Sequence, residues 1–130
     1  MRALTRLSVV ALVGVGALLP MTTAQAADAV TRSGSCSTVS SWTMRAAEGE
    51  GDFANLRLTV NSPRAGQRWS VQFARQGVQF ASTTVTTNSR GDVTLTRRAR
   101  EVNNVNDAYT ARARNLATGE TCSARVVLPD

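Results

Sequence analysis

The chain has 130 residues, a formal net charge of +6, and neither histidine nor lysine. Without histidine it loses the commonest general base, the usual metal ligand and every Ser–His or Cys–His nucleophile pair. Without lysine it has no Schiff-base chemistry, and its length fits one domain with an ordinary core.

Residues 1–26 read as an export tag. Arg2 and Arg6 supply a positive start, residues 9–19 (VVALVGVGALL) are apolar but too short for a lasting span, and Pro20 breaks the run. Ala24-Gln25-Ala26 gives a small-x-small cleavage site, so the cut is expected before Ala27. The mature chain of about 104 residues is then expected outside the cell. No cysteine lies near the cut and residues 126–130 are not a hydrophobic run, so neither a lipid anchor nor a transmembrane segment is expected in the mature form. Removing Arg2 and Arg6 leaves 13 arginines against 9 acidic residues, a net charge of +4.

Cys36 and Cys122 are the only cysteines. In an oxidising compartment an even pair reads as a disulfide. It closes a loop of roughly 87 residues, which chain entropy values at about 4.6 kcal/mol as an upper figure. Two thiols without histidine make a poor zinc site. No metal and no cofactor is expected.

Hydrophobic periodicity in the mature chain is close to two almost throughout. Residues 27–34 are small and polar and read as a flexible lead-in. Cys36, Trp42 and Met44 share one parity, which predicts a first strand. Residues 48–52 (EGEGD) are a turn, and residues 53–60 alternate with Leu56, Leu58 and Val60 on one face. Residues 61–63 (NSP) end that strand; Trp69, Val71 and Phe73 then point inward. Gly77 turns the chain into residues 78–80, and residues 83–87 are extended by β-branched propensity. Val93 and Leu95 alternate with Thr94 and Thr96, Tyr109 to Ala113 form a further strand, and Cys122, Ala124, Val126 and Leu128 alternate at the end. The fold expected is all-β: a single antiparallel β-sandwich of about seven strands over residues 35–130.

Residues 107–115 (DAYTARARN), a glycine-bearing turn, and residues 121–128 resemble the last hairpin of immunoglobulin-like and fibronectin-III-like domains. The resemblance implies that Tyr109 forms a corner with its hydroxyl bonded back to nearby backbone, and that Trp69 is the core tryptophan of the third strand. Immunoglobulin domains place a cysteine two residues after that tyrosine; here Ala111 stands there, and the partner strand offers Leu58. The bridge is therefore expected to join the first strand to the last. The chain is also similar to small secreted actinobacterial proteins with a Cys…Trp start and a Thr118-Gly119-Glu120-Thr121-Cys122 type of ending.

The sequence holds no catalytic motif. Glu48, Glu50, Asp52, Asp92, Glu101, Asp107 and Glu120 are candidates for carboxylate chemistry, but none sits in an apolar run that raises a pKa. Glu48, Glu50 and Asp52 have the 1-3-5 spacing of a calcium loop without its glycine and closing acid, so a polar hairpin turn is expected. Arg90-Gly91-Asp92 spells an integrin tripeptide inside ordinary turn chemistry. Arg97, Arg98, Arg100, Arg112, Arg114 and Arg125 are the candidate anion-binding surface; the bland alternative is a solvated, solubilising sheet face. Nucleic acid is disfavoured because the aromatics fall on the inward parity. The expectation is a secreted, non-enzymatic binding module for an anionic envelope polymer or an extracellular protein. The alternative is a secreted inhibitor, acting through residues 61–67 or 100–107, or a small-ligand carrier on the same scaffold. A carboxylate hydrolase requires two acids facing one pocket.

Overall fold

The computed structural model describes residues 29–102 and 105–129; the expected export tag lies outside them. Eight strands follow in order among the described residues: β1 (Ala29–Ser35), β2 (Ser41–Glu48), β3 (Phe53–Asn61), β4 (Arg68–Arg75), β5 (Val78–Thr86), β6 (Asp92–Arg100), β7 (Asp107–Asn115) and β8 (Thr121–Leu128). Sheet one has the spatial order β1-β2-β3-β6 and sheet two the order β5-β4-β7-β8. Every pairing is antiparallel. The all-β sandwich read from the alternation is the fold, with eight strands instead of seven.

Alternation decides what each sheet buries. Met44, Leu56, Leu58 and Val60 from sheet one meet Trp69, Val71, Phe73 and Tyr109 from sheet two, and none exceeds 1% exposure. Burying side chains of this size contributes about 1.5–3 kcal/mol each. Trp42, expected in the core, is buried as well. The Tyr109 hydroxyl donates to the Arg100 carbonyl at 3.3 Å, forming the expected corner. Burial first, then the charges of Asp107 and Glu101, push the Tyr109 phenol up to about 12, against the opposing pull of Arg75.

Three elements depart from the sequence reading. Residues 29–35 are not a flexible lead-in: they form β1, paired along its whole length with β2 from Ala29↔Ala47 to Ser35↔Ser41. Gly34 lies against the Trp42 indole so closely that a Cβ there would meet the ring at 2.8 Å. Cys36 lies not in a strand with Trp42 but in the loop between β1 and β2. The third departure is at residues 78–87, where two short extended segments were expected. They are one edge strand, β5, and Phe80 on it is 39% exposed. The cause is a register shift at Phe73/Ala74: Phe73 pairs with Ala81 and Ala74 with Gln79, so Phe80 is the extra residue of a bulge.

Cys36 and Cys122 are bridged, with their Cα atoms 4.3 Å apart. The bond ties the β1–β2 loop to β8, and therefore sheet one to sheet two. Around it, Ser37 N donates to Thr121 O at 2.8 Å and Thr121 N donates to Ser37 Oγ at 2.9 Å. A double Cys36→Ser/Cys122→Ser variant is expected to lose about 2–4 kcal/mol in chemical denaturation and to keep its β-sheet circular dichroism. A loss below about 1 kcal/mol counts against the cystine as the main tie between the sheets.

Candidate functional site

Outward positions follow from the same register that fills the core. On sheet two, β7 points Arg112 and Arg114 to solvent and β8 points Arg125. Arg114 lies opposite Ser70 and Thr121, Arg112 opposite Gln72 and Ser123, and Arg125 opposite Thr110. Arg125 is thus a diagonal neighbour of Arg112, about 7–8 Å away. Two shallow depressions of about 530 and 440 Å³ share Gln72 and Arg112, so one trough crosses this face, with hydroxyls, amides and guanidiniums set among apolar lining that includes Leu116 and Ala74.

Sheet one has a basic face of its own. Arg45 on β2 is the direct register partner of Arg57 on β3, which lies opposite Thr96 on β6. Asn55, two residues away on β3, pairs with Arg98, so Arg98 is diagonal to Arg57. Arg45, Asn55, Arg57, Thr96 and Arg98 line a depression of about 380 Å³, together with Leu56 and the neighbouring Arg97. The Arg98 and Arg100 guanidiniums lie over the Phe53 ring, 4.4 and 5.5 Å from its centre.

The arginines expected to line one surface therefore do not gather on one. Arg112, Arg114 and Arg125 come together as the parity reading required. Arg98 and Arg100 lie across the molecule on sheet one. Arg97 takes the inward parity of Val93, Leu95 and Ala99, is half-buried at the sheet edge, and donates from Nη1 to the Thr96 carbonyl at 2.7 Å. Arg45 and Arg57 were missed. Each sits on a recognisable outward parity, but their opposition appears only when the β2–β3 register is known.

Carboxylates are placed differently. Every acidic residue described lies in a loop or at the first or last position of a strand. By contrast, Arg45, Arg57, Arg98, Arg112, Arg114 and Arg125 are all interior to strands. No ion pair among the described residues involves these six; the pairs seen are Arg75 Nε–Asp107 Oδ1 at 2.9 Å and Arg90 Nε–Asp92 Oδ2 at 3.9 Å.

The buried acids hold structure together. Besides Arg75, Asp107 accepts from Val102 N at 3.2 Å. Glu120 is 5% exposed and accepts from Ser40 Oγ at 2.6 Å, Ser40 N at 2.8 Å and Thr38 N at 3.0 Å. Burial acts to raise its pKa, but the Ser40 and then the Thr38 hydrogen bonds overcome it and hold the carboxyl at about 2. Glu48, Glu50 and Asp52 occupy the β2–β3 hairpin, closed by Gly49 N to Phe53 O at 2.8 Å; no group of three metal-ligating side chains occurs among the described residues. In the Arg90-Gly91-Asp92 turn, Asn88 Oδ1 accepts from both Arg90 N and Asp92 N at 2.9 Å. Gly91 is buried at φ +89°, and a Cβ there would collide with the Ser62 carbonyl, so this glycine is required by the turn itself.

Comparison with known proteins finds no matching family model, no matching curated protein and no matching solved structure.

The depressed Glu120 pKa has a signed consequence. Its folded value of about 2 lies below its ordinary 4.5, so the stabilisation is fully present above about pH 4.5 and is lost as pH falls toward 2. The shift corresponds to at most about 3–4 kcal/mol. E120Q is expected to lower the melting temperature at pH 7 and to flatten its fall between pH 5 and 2. An unchanged acid limb in E120Q shows that other groups govern acid unfolding.

Proposed function

We propose that the protein is a secreted, non-enzymatic binding module whose ligand is a polyanionic polymer of the cell envelope. The observation that carries this reading is the acid-free trough on sheet two, with Arg112, Arg114 and Arg125 set among Ser70, Gln72 and Ser123. Guanidiniums supply charge-assisted, bidentate contacts to phosphate or carboxylate, and neutral hydroxyls and amides bond the sugar or polyol between charges. Two things support the extracellular setting: the export-tag pattern of residues 1–26 and the cystine. The Tyr109 corner and the buried Trp69 support an immunoglobulin-like reading of the sandwich.

A second reading, a carrier for a small amphipathic anion, has one feature in its favour. Between the edges of β5 and β6, Val78, Phe80 and Ala99 floor a groove of about 280 Å³ rimmed by Arg75, Arg98 and Arg100. Loop 61–67, the proposed inhibitory loop, is pinned to Thr87, through Gly66 N to Thr87 O at 3.1 Å and Gln67 N to Thr87 Oγ1 at 2.9 Å.

The test is binding of the purified protein to envelope polymer preparations. For three guanidinium contacts, affinity is expected to fall about twentyfold between 50 and 200 mM salt. R112Q/R114Q/R125Q is expected to weaken binding and reduce the salt slope by about 2. Absence of binding at every ionic strength removes the reading; salt-independent binding favours the groove and its apolar floor.

A further inference from the structure

The basic face of sheet one has no part in the function just proposed. Its central feature is Arg45 set directly opposite Arg57 on neighbouring strands. Directly opposed residues of an antiparallel pair have Cβ atoms about 4.5–5.5 Å apart, and like charges there destabilise the sheet. Arg98 adds a third guanidinium on the diagonal. None of the three has a carboxylate partner among the described residues. Asn55 and Thr96 stand between them with further polar groups. An oxyanion between Arg45 and Arg57 turns a repulsive pair into two charge-assisted contacts.

The two faces match in make-up. Each carries three strand-interior arginines (Arg45, Arg57 and Arg98 on one, Arg112, Arg114 and Arg125 on the other) with hydroxyl and amide neighbours and no strand-interior acid. They belong to opposite sheets, which stack about 10 Å apart with their outer surfaces turned away from each other. One extended polymer chain lying flat on the first face cannot also lie on the second. We propose that the sheet-one face is a second oxyanion-binding site and that each molecule bridges two polyanion chains, acting as a cross-linker of anionic envelope polymer. This rests on the binding reading above and assigns it a valency of two.

The experiment uses the full mature chain with two probes, poly(glycerol phosphate) and polygalacturonate, each as a short oligomer and as a long polymer. Oligomer titration calorimetry is expected to give two sites per protein. Long polymer is expected to form light-scattering aggregates that rise and then fall as protein is added. R45Q/R57Q/R98Q and R112Q/R114Q/R125Q change exposed positions, and each is expected to melt at the wild-type temperature or above. Each should keep one oligomer site and lose the scattering, because the remaining face still holds one chain but no longer joins two. Preference for the first probe assigns phosphodiester polymers, and preference for the second assigns uronate polymers. One oligomer site in the wild type that R112Q/R114Q/R125Q abolishes, or scattering that survives in R45Q/R57Q/R98Q, overturns bivalency and leaves binding by the sheet-two face standing; scattering that survives in R112Q/R114Q/R125Q overturns both. No binding of either probe at 20 mM salt overturns both.

Discussion

The cystine between Cys36 and Cys122 is the contact on which the arrangement of the two faces depends. Apolar burial between the sheets has no direction of its own, and the Tyr109 hydroxyl bond to the Arg100 carbonyl is a directional contact between them away from the cystine. Here a covalent bond joins the β1–β2 loop to β8, and the Glu120 carboxylate gathers Ser40 and Thr38 of that same loop beside it. The loop is thereby pinned by a bond, by three hydrogen bonds to Glu120, and by the Ser37–Thr121 exchange. Sheet one is docked on sheet two at this end, and the outer face of each is turned to solvent with a set orientation. Breaking the bond lets the faces tilt; removing Glu120 loosens the loop without touching the bond.

That clamp also explains how the fold tolerates unneutralised charge. Two guanidiniums about 5.5 Å apart in water repel by somewhat under 1 kcal/mol, and salt screens this further. A few such contacts on each face are small beside the stabilisation of a long disulfide loop. The acids avoid these faces and collect at the strand ends and loops, where Asp107 and Glu120 serve as acceptors for backbone and hydroxyl groups. The molecule is therefore zoned: apolar between the sheets, carboxylates at the ends, guanidiniums over the outer faces.

Much of this zoning was legible because a strand has period two. The segments at 53–60, 69–73, 93–96 and 122–128 each alternate an apolar residue with a polar one, so both their existence and their buried face could be read directly. The bond of the Tyr109 hydroxyl back to backbone was implied by the resemblance of residues 107–115 to a known hairpin, not by periodicity. β1 was not, because Val30 is its one sizeable apolar side chain and its pairing is written in the backbone of β2. β5 was misread because hydroxyls occupy both its faces and a bulge displaces Phe80. The same period corrects the basic cluster. Arg97 and Arg98 are consecutive, so they leave the strand on opposite sides, and Leu95 already places Arg97 inward. The two nevertheless border the same depression on sheet one. Arg45 and Arg57 lie on opposite arms of one hairpin, and their meeting depends on a register that the composition of the turn leaves open.

The choice of arginine on the outer faces bears on what such a surface can hold. A guanidinium is weakly hydrated, stays charged at any physiological pH and offers a planar fork of donors. Set among serine, threonine and glutamine rather than aromatics, it provides charge and hydrogen bonds but little stacking. Bases need a π-platform; sugars, polyols and their phosphates do not. Phe53 does not supply that platform, because Arg98 and Arg100 already cover its ring. This is the chemical ground on which the proposed ligand is an anionic polymer with a hydroxylated backbone rather than a nucleic acid. If the proposed binding holds, its affinity is set by how many charges the polymer presents at the strand-to-strand spacing, since each exposed contact is individually weak.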